Sequence, residues 1–292
     1  MRSPLLVVAL TAAGVHRAVR PRCPAVQCGA TADYLLRLGC TEEQASKAEG
    51  RLLPSIRDSL DDATVEATSS ALQSRLALSE EQVLKMVMMQ PQVLGYGFET
   101  NLLPSLDALQ SRLALSEAQL LKLVMARPQA LGLSFESNIS PSLDALQSRL
   151  TLSEEQLRKV VVALPAVLGY SFESNISPKL DALQSRLALS EAQLQKVVVA
   201  LPAVLGYSFE SNIGPKLDYL QSALALPIDA LRDRVVRFPA LLGYSQEQRF
   251  RPRIDACRAA GVDAEFALSR IALTDTKFYD GLGRSGESSR RS

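Results

Sequence analysis

The 292-residue chain has no tryptophan and a single histidine, His16, which lies in an N-terminal leader-like stretch. Beyond that stretch no imidazole is present to act as a general base or as the commonest metal ligand, which counts against hydrolase or metalloenzyme chemistry. The four cysteines, Cys23, Cys28, Cys40 and Cys257, form no Cys-x-x-Cys pair and no evenly spaced framework. Neither a zinc site nor a disulfide scaffold is therefore expected. A Gly-rich phosphate loop and a Cys/His pair are also lacking, so the protein is expected to be no enzyme and to take no cofactor or metal. The apolar run from Leu5 to Gly14 is too short to span a bilayer, and no membrane partner is expected. An excess of one charge is missing as well. The formal net charge is +1, which excludes polyanion binding by bulk charge alone.

Acidic residues are absent from the first 32 positions, which carry Arg2, Arg17, Arg20 and Arg22 before the first carboxylate, Asp33. Residues 33–292 then hold 28 basic and 31 acidic side chains, a net of −3. An acid-free, Arg-bearing leader over residues 1–30 fits an organellar transit segment, and its apolar stretch also fits a secretory h-region. The combination suits an organelle reached through the secretory route, such as a complex plastid. The alternative is an N-terminus with no targeting role.

What the chain does have is a period. Pro91, Pro128, Pro165, Pro202 and Pro239 follow one another at 37-residue steps, and so do Pro104, Pro141, Pro178, Pro215 and Pro252. Residues 133–169 and 170–206 differ at five positions only: Leu133/Tyr170, Ser142/Lys179, Thr151/Ala188, Glu155/Ala192 and Arg158/Gln195. With 47% hydrophobic residues the chain can bury a large core. An unbroken repeat of this length predicts one elongated domain whose units contact mainly their neighbours and build an extended binding surface.

Residues 138–174 show the unit. Asn138-Ile139-Ser140-Pro141 is expected to open a helix, since proline lacks an N–H that the first turn leaves unpaired and Asn or Ser can cap it. Ile139, Leu143, Leu146 and Leu150 follow at helical spacing, and Thr151-Leu152 turns the chain. Ser153 and Gln156 form a capping-box pattern for a second helix, repeated at Ser79/Gln82, Ser116/Gln119 and Ser190/Gln193. Leu157, Val160, Val161 and Leu164 form its buried stripe. Pro165 ends it, and Ala166–Tyr170 predicts a short 3₁₀ turn with Gly169 as a left-handed stop. At the ends, Ala32–Leu60 reads as a helical pair with Pro54 in the repeat register. Residues 61–70 read as a weak stretch or hinge, Phe250–Ala260 and Ala264–Leu273 as closing helices, and 283–292 as a disordered tail.

These residues resemble the mitochondrial transcription termination factor (mTERF) family. The resemblance rests on Asn101-Leu102-Leu103-Pro104 through Pro128-Gln129-Ala130-Leu131-Gly132 and its later copies. It extends to Ala32–Leu36 with Thr41–Lys47 near the start, and to Arg251-Pro252-Arg253 with Thr274–Phe278 near the end. It covers about residues 31–282 and implies an all-α, curved solenoid of 37-residue helix-turn-helix-3₁₀ repeats. It also implies a nucleus-encoded protein of mitochondria or chloroplasts that binds DNA or RNA and acts in transcription, ribosome assembly or RNA maturation. The chain departs from the family pattern in the near-identity of its units and in its slightly acidic body.

The repeat register supplies candidate contacts. Arg75, Arg112, Arg149 and Arg186 recur late in the first helix, and Ser105, Ser142, Lys179, Lys216 and Arg253 stand seven residues earlier on the same face. The acids Asp107, Asp144, Asp181, Asp218 and Asp255 lie two residues after that second series, about 200° away around a helix of about 100° per residue. The expectation is a basic stripe segregated from the acids. The alternative is a solvated surface on which Asp and Arg pair between adjacent repeats. A second ladder, Lys85, Lys122, Lys159 and Lys196, reads as paired through Glu81–Lys85 and Glu155–Lys159.

The Arg-rich stretch 228–258 (Arg232, Arg234, Arg237, Arg249, Arg251, Arg253 and Arg258) is the strongest local candidate for phosphate contact. Tyr96, Tyr170, Tyr207 and Tyr244 are expected to wedge between repeats, with base stacking as the alternative, and Phe98, Phe135, Phe172 and Phe209 to lie in the core. The sequence therefore predicts a monomeric, non-enzymatic regulator of organelle gene expression. It would bind double-stranded DNA or RNA through phosphate contacts from Arg75, Arg112, Arg149, Lys179, Arg186, Lys216, Arg249, Arg251 and Arg253. The competing expectation is a scaffold recruiting a protein partner such as an RNA-modifying enzyme or a ribosome factor.

Overall fold

The computed structural model describes residues 29–291, so the targeting segment expected over 1–30 lies outside it except for Gly29 and Ala30. Short helices α1 (Ala30–Arg37), α2 (Glu42–Glu49) and α3 (Pro54–Arg57) come first. Five helix pairs follow: α4 and α5 (Asp62–Leu76, Glu80–Met89), α6 and α7 (Leu103–Leu113, Glu117–Ala126), α8 and α9 (Ser140–Leu150, Glu154–Ala163), α10 and α11 (Ser177–Leu187, Glu191–Ala200), and α12 and α13 (Gly214–Ala223, Ile228–Arg237). Helices α14 (Arg251–Ala259), α15 (Glu265–Ser269) and α16 (Asp275–Arg291) close the array, and no strand occurs among the described residues. This is an all-α helical-repeat solenoid.

Local chemistry explains each unit. The four expected capping boxes form: in the second of them Ser116 Oγ accepts from the Gln119 N–H at 3.3 Å while Gln119 Oε1 accepts from the Ser116 N–H at 3.0 Å. Each repeat proline opens a 3₁₀ turn, at Pro91–Gly95, Pro128–Gly132, Pro165–Gly169, Pro202–Gly206 and Pro239–Gly243. One element was not anticipated: a π-type turn precedes the first helix, as at Phe135–Ile139, where the Ile139 N–H reaches the Ser134 carbonyl at 3.2 Å. The N-terminal cap is consequently Ser134, whose hydroxyl accepts from the Ser137 N–H at 3.2 Å, in place of Asn138 or Ser140.

The left-handed stop also lies elsewhere. Positive φ falls at Ala77, Ala114, Thr151, Ala188 and Ala225, just after the first helix, with φ between 46° and 51°, and not at Gly169. The reversal lets the Leu115 N–H bond the Gln110 carbonyl at 3.0 Å and folds Leu115 into the core, a hydrogen-bonded helix end that outweighs the cost of left-handed backbone at alanine.

Units join in three layers. First helices meet the next unit's π turn and second helix, second helices stack on second helices, and 3₁₀ turns stack on 3₁₀ turns. One leucine- and valine-rich core runs through them all, from Leu35 to Leu282. The tyrosines reach between units as expected: a Cβ added at Gly132 would stand 2.6 Å from the Tyr96 hydroxyl, which is why glycine follows the 3₁₀ leucine there. Phe98, Phe135, Phe172 and Phe209 are half-buried against the core and not inside it.

Two end regions differ from expectation. Residues 62–70 are the first turns of α4, because Asp61 accepts from the Thr64 N–H at 2.7 Å and Val65 and Leu72 are buried, with the Ser69 hydroxyl bonded to that of Tyr34. From Gly283 the chain continues as helix to Arg291. Buried Phe278 and Leu282 anchor the first turns of α16, and extending an anchored helix costs less than starting one.

Candidate nucleic-acid interface

The arginine ladder is tied up between repeats. Arg112 Nη2 lies 2.8 Å from Asp144 Oδ1 and 2.6 Å from Gln147 Oε1, and Arg112 Nη1 lies 2.6 Å from Glu154 Oε2. Arg75 makes the same contacts to Asp107, Gln110 and Glu117, and Arg149 to Asp181, Gln184 and Glu191. Arg186 reaches Asp218 and Gln221 but no glutamate, since Ile228 occupies that register. The hydrogen bonds from Gln147 and then Arg112 hold the Glu154 carboxyl below the usual range, with the same order of causes at Glu117 and Glu191. The expected segregation of charge is therefore corrected. Within one helix the two signs do point apart, but stacking brings the next unit's aspartate round to face each arginine.

Most of the other candidates also turn inward. Lys179 Nζ donates to the Leu205 carbonyl at 3.0 Å and to Asn175 Oδ1 at 2.9 Å, 5.2 Å above the Tyr170 ring. Lys216, 4% exposed, repeats this at the Leu242 carbonyl and Asn212, and burial pushes its ammonium pKa down. Arg253, 1% exposed, donates to the Arg270, Ile271 and Leu273 carbonyls and to Asp275, which Arg249 shares. Arg251 pairs with Glu247 at 3.0 Å, its side chain half exposed. Across the Arg-rich stretch, Arg232, Arg234 and Arg258 are also paired, with Asp229, Glu265 and Asp255, which leaves Arg237 as the one with no carboxylate within 4.0 Å among the described residues.

The free ladder is the second one. Lys85, Lys122, Lys159 and Lys196 are exposed, and no carboxylate of the described residues lies within 4.0 Å of any of them. The expected Glu81–Lys85 and Glu155–Lys159 pairs do not form, consistent with the small gain from fully solvated pairs. On α7 the buried residues are Leu120, Leu123 and Val124, and Lys122 projects opposite them between exposed Ala118 and Ala126. Because second helices stack, and packed helices stand roughly 8–10 Å apart, the lysines form a row. Exposed Glu99, Glu136, Glu173 and Glu210 form a separate acidic row on the π turns. The lysines share their helices with first-turn glutamates, of which Glu117, Glu154 and Glu191 are taken up by the arginine ladder.

The period, the paired helices and the Pro-x-x-Leu-Gly 3₁₀ turns coincide with a family model: that of mTERF matches residues 30–186 and again residues 109–279. The chain belongs to the mTERF family. No curated protein matches it. The two overlapping matches within this mTERF chain reflect its internal repetition. No helix among its described residues is long and apolar enough to cross a membrane, and no three His, Cys, Asp or Glu side chains among them group as a metal site. The lysine ladder was visible in the sequence of this mTERF protein, but the nearby glutamates concealed that it stands alone. The available signal was that Lys122 and Lys196 have alanines, Ala118 and Ala192, four residues before them.

Proposed function

We propose that this mTERF protein is an organellar nucleic-acid-binding regulator of gene expression, acting in transcription termination or in RNA maturation. The observation that carries the reading is the row Lys85, Lys122, Lys159 and Lys196: one exposed, unpaired cation on each of the first four second helices, with Asp233 in that register on the fifth. Such a row tracks a phosphate backbone without reading its sequence. The glutamate row on the π turns repels phosphate and so restricts the approach to one side. Half-exposed Arg251 and unpaired Arg237 extend the basic surface at the C-terminal end. Arg75, Arg112, Arg149 and Arg186 hold the units in register, and Lys179, Lys216 and Arg253 cap carbonyls of the structure that follows them. The test is equilibrium binding of labelled duplex DNA, single-stranded DNA and RNA as a function of salt. Affinity independent of salt, or none at all, would remove the proposal.

A protein-scaffold reading has one specific observation in its favour. A groove of about 530 Å³ lies between α13 and residues 265–272, where α15 is too short to fill the place of a further second helix. Phe238, 38% exposed, and Leu241 line it beside Arg237. A stoichiometric protein complex without nucleic acid would favour that reading.

A further inference from the structure

One unit breaks the pattern of the 3₁₀ layer. Before the repeat proline stand Gln90, Arg127, Leu164, Leu201 and Phe238; after it stand Gln92, Gln129, Ala166, Ala203 and Ala240. After the glycine stand Tyr96, Leu133, Tyr170, Tyr207 and Tyr244. The unit at Pro128 alone has a cation before its proline, and it alone lacks the tyrosine. With Leu133 there, no tyrosine hydroxyl reaches Gly169, and the Arg127 guanidinium lies in its stead, Nη2 3.4 Å from where a Cβ on Gly169 would stand.

Arg127 differs from the ladder arginines in having nothing to bind. Its side chain makes no hydrogen bond, no carboxylate of the described residues lies within 4.0 Å, and its Nε is buried without a partner. Gln129, two residues on, leaves Oε1 buried without a partner as well. At the preceding unit Gln92 Nε2 donates to the Arg51 carbonyl at 2.8 Å, whereas the matching carbonyl for Gln129, that of Met88, already accepts from Arg51 at 3.0 Å. Unpartnered buried polar groups are costly, and the sister units avoid the cost with leucine and alanine. A buried donor and a buried acceptor without partners thus lie two residues apart, on side chains that are each only partly covered.

We infer that Arg127 and Gln129 are the sequence-discriminating position of this chain and take the edge of one unpaired guanine. The inference rests on the nucleic-acid reading above. Phosphate offers acceptors only and would leave Gln129 Oε1 without a donor. Guanine presents O6 and N7 to a guanidinium fork and, when unpaired, N1–H and its 2-amino group to an acceptor. Near-identical neighbouring units have no comparable group with which to tell one base from another.

The test is a comparison of the wild-type protein with the Arg127→Leu/Gln129→Ala variant, which carries the sister units' residues and should keep the fold, as read by Tm. A preferred single-stranded sequence is selected from a random pool with the wild-type protein, and its affinity is compared with that of the same strand after guanine-to-adenine exchange. The wild type should prefer guanine by about 5- to 150-fold, and the variant should lose that preference while keeping its affinity for the exchanged strand and its salt slope. An unchanged preference in the variant overturns the inference. So does a uniform loss over all sequences with a salt slope reduced by about 1, which would make Arg127 a phosphate contact. Binding by the wild type without guanine preference defeats this inference alone, whereas no binding of any nucleic acid defeats the underlying function as well.

Discussion

Replacing Lys85, Lys122, Lys159 and Lys196 together by glutamine separates binding from folding more sharply than any other change in this protein. Each lysine is exposed and has no carboxylate within 4.0 Å among the described residues, so its loss removes charge and little else. Surface changes of this kind shift stability by about 0.5 kcal/mol or less each, so Tm should hardly move. Four phosphate contacts give a slope of log affinity against log salt near −3.6 on duplex DNA or about −2.8 on a single strand. Between about 50 and 200 mM salt the four lysines should therefore account for a weakening of roughly 50- to 150-fold, and the variant should keep only the shallow slope that Arg237 and Arg251 supply. Fluorescence anisotropy over a salt series measures both slopes.

The matched control is Arg112→Gln with Arg149→Gln. Each removes bonds to an aspartate, a glutamine and a glutamate of the next unit from an arginine largely shielded from solvent. The expected loss is about 1–2 kcal/mol of stability per site, with the salt slope of binding unchanged. Unaltered binding by the lysine variant, or a salt slope flattened by the arginine variant, would refute the assignment of the two ladders.

Three further outcomes follow from the geometry. Ala188→Gly should raise stability by about 0.5–1 kcal/mol in thermal or urea unfolding, because relief of left-handed alanine, about 1–2 kcal/mol, exceeds the entropy that glycine adds to the unfolded chain. The carboxyls of Glu117, Glu154 and Glu191 are held below their ordinary range, first by Gln110, Gln147 and Gln184 and then by the arginines. Their stabilisation is present above the unfolded value of about 4.3 and lost as pH falls through the lower folded values; a Glu154→Gln/Glu191→Gln variant should show a shallower acid loss in unfolding titrations. Lys216 gives the same sign from the opposite cause, since burial disfavours its charged form. Burial lowers its folded pKa, so between that value and the unfolded one near 10.4 the unfolded chain binds more protons and stability rises with pH. Lys216→Met should abolish that rise in denaturation measured across the alkaline range.

Much of this protein is determined by its sequence alone. The 37-residue proline period, the paired amphipathic helices, the Ser/Gln capping boxes and the Pro-x-x-Leu-Gly 3₁₀ turns are local, so residues within one unit specify them. The π turn was less legible, because it depends on a six-residue hydrogen-bonded ring capped by Ser134 and not on hydrophobic spacing. What tertiary structure alone decided is the partner of each charge. Helical periodicity gives the direction of Arg112 about its own axis, but Asp144, Gln147 and Glu154 reach it only because the next unit packs at a particular rotation. The same packing leaves Lys122 facing solvent and Arg127 facing Gly169 without a partner. Charge interactions act through space between units, whereas sequence patterns report order along one helix.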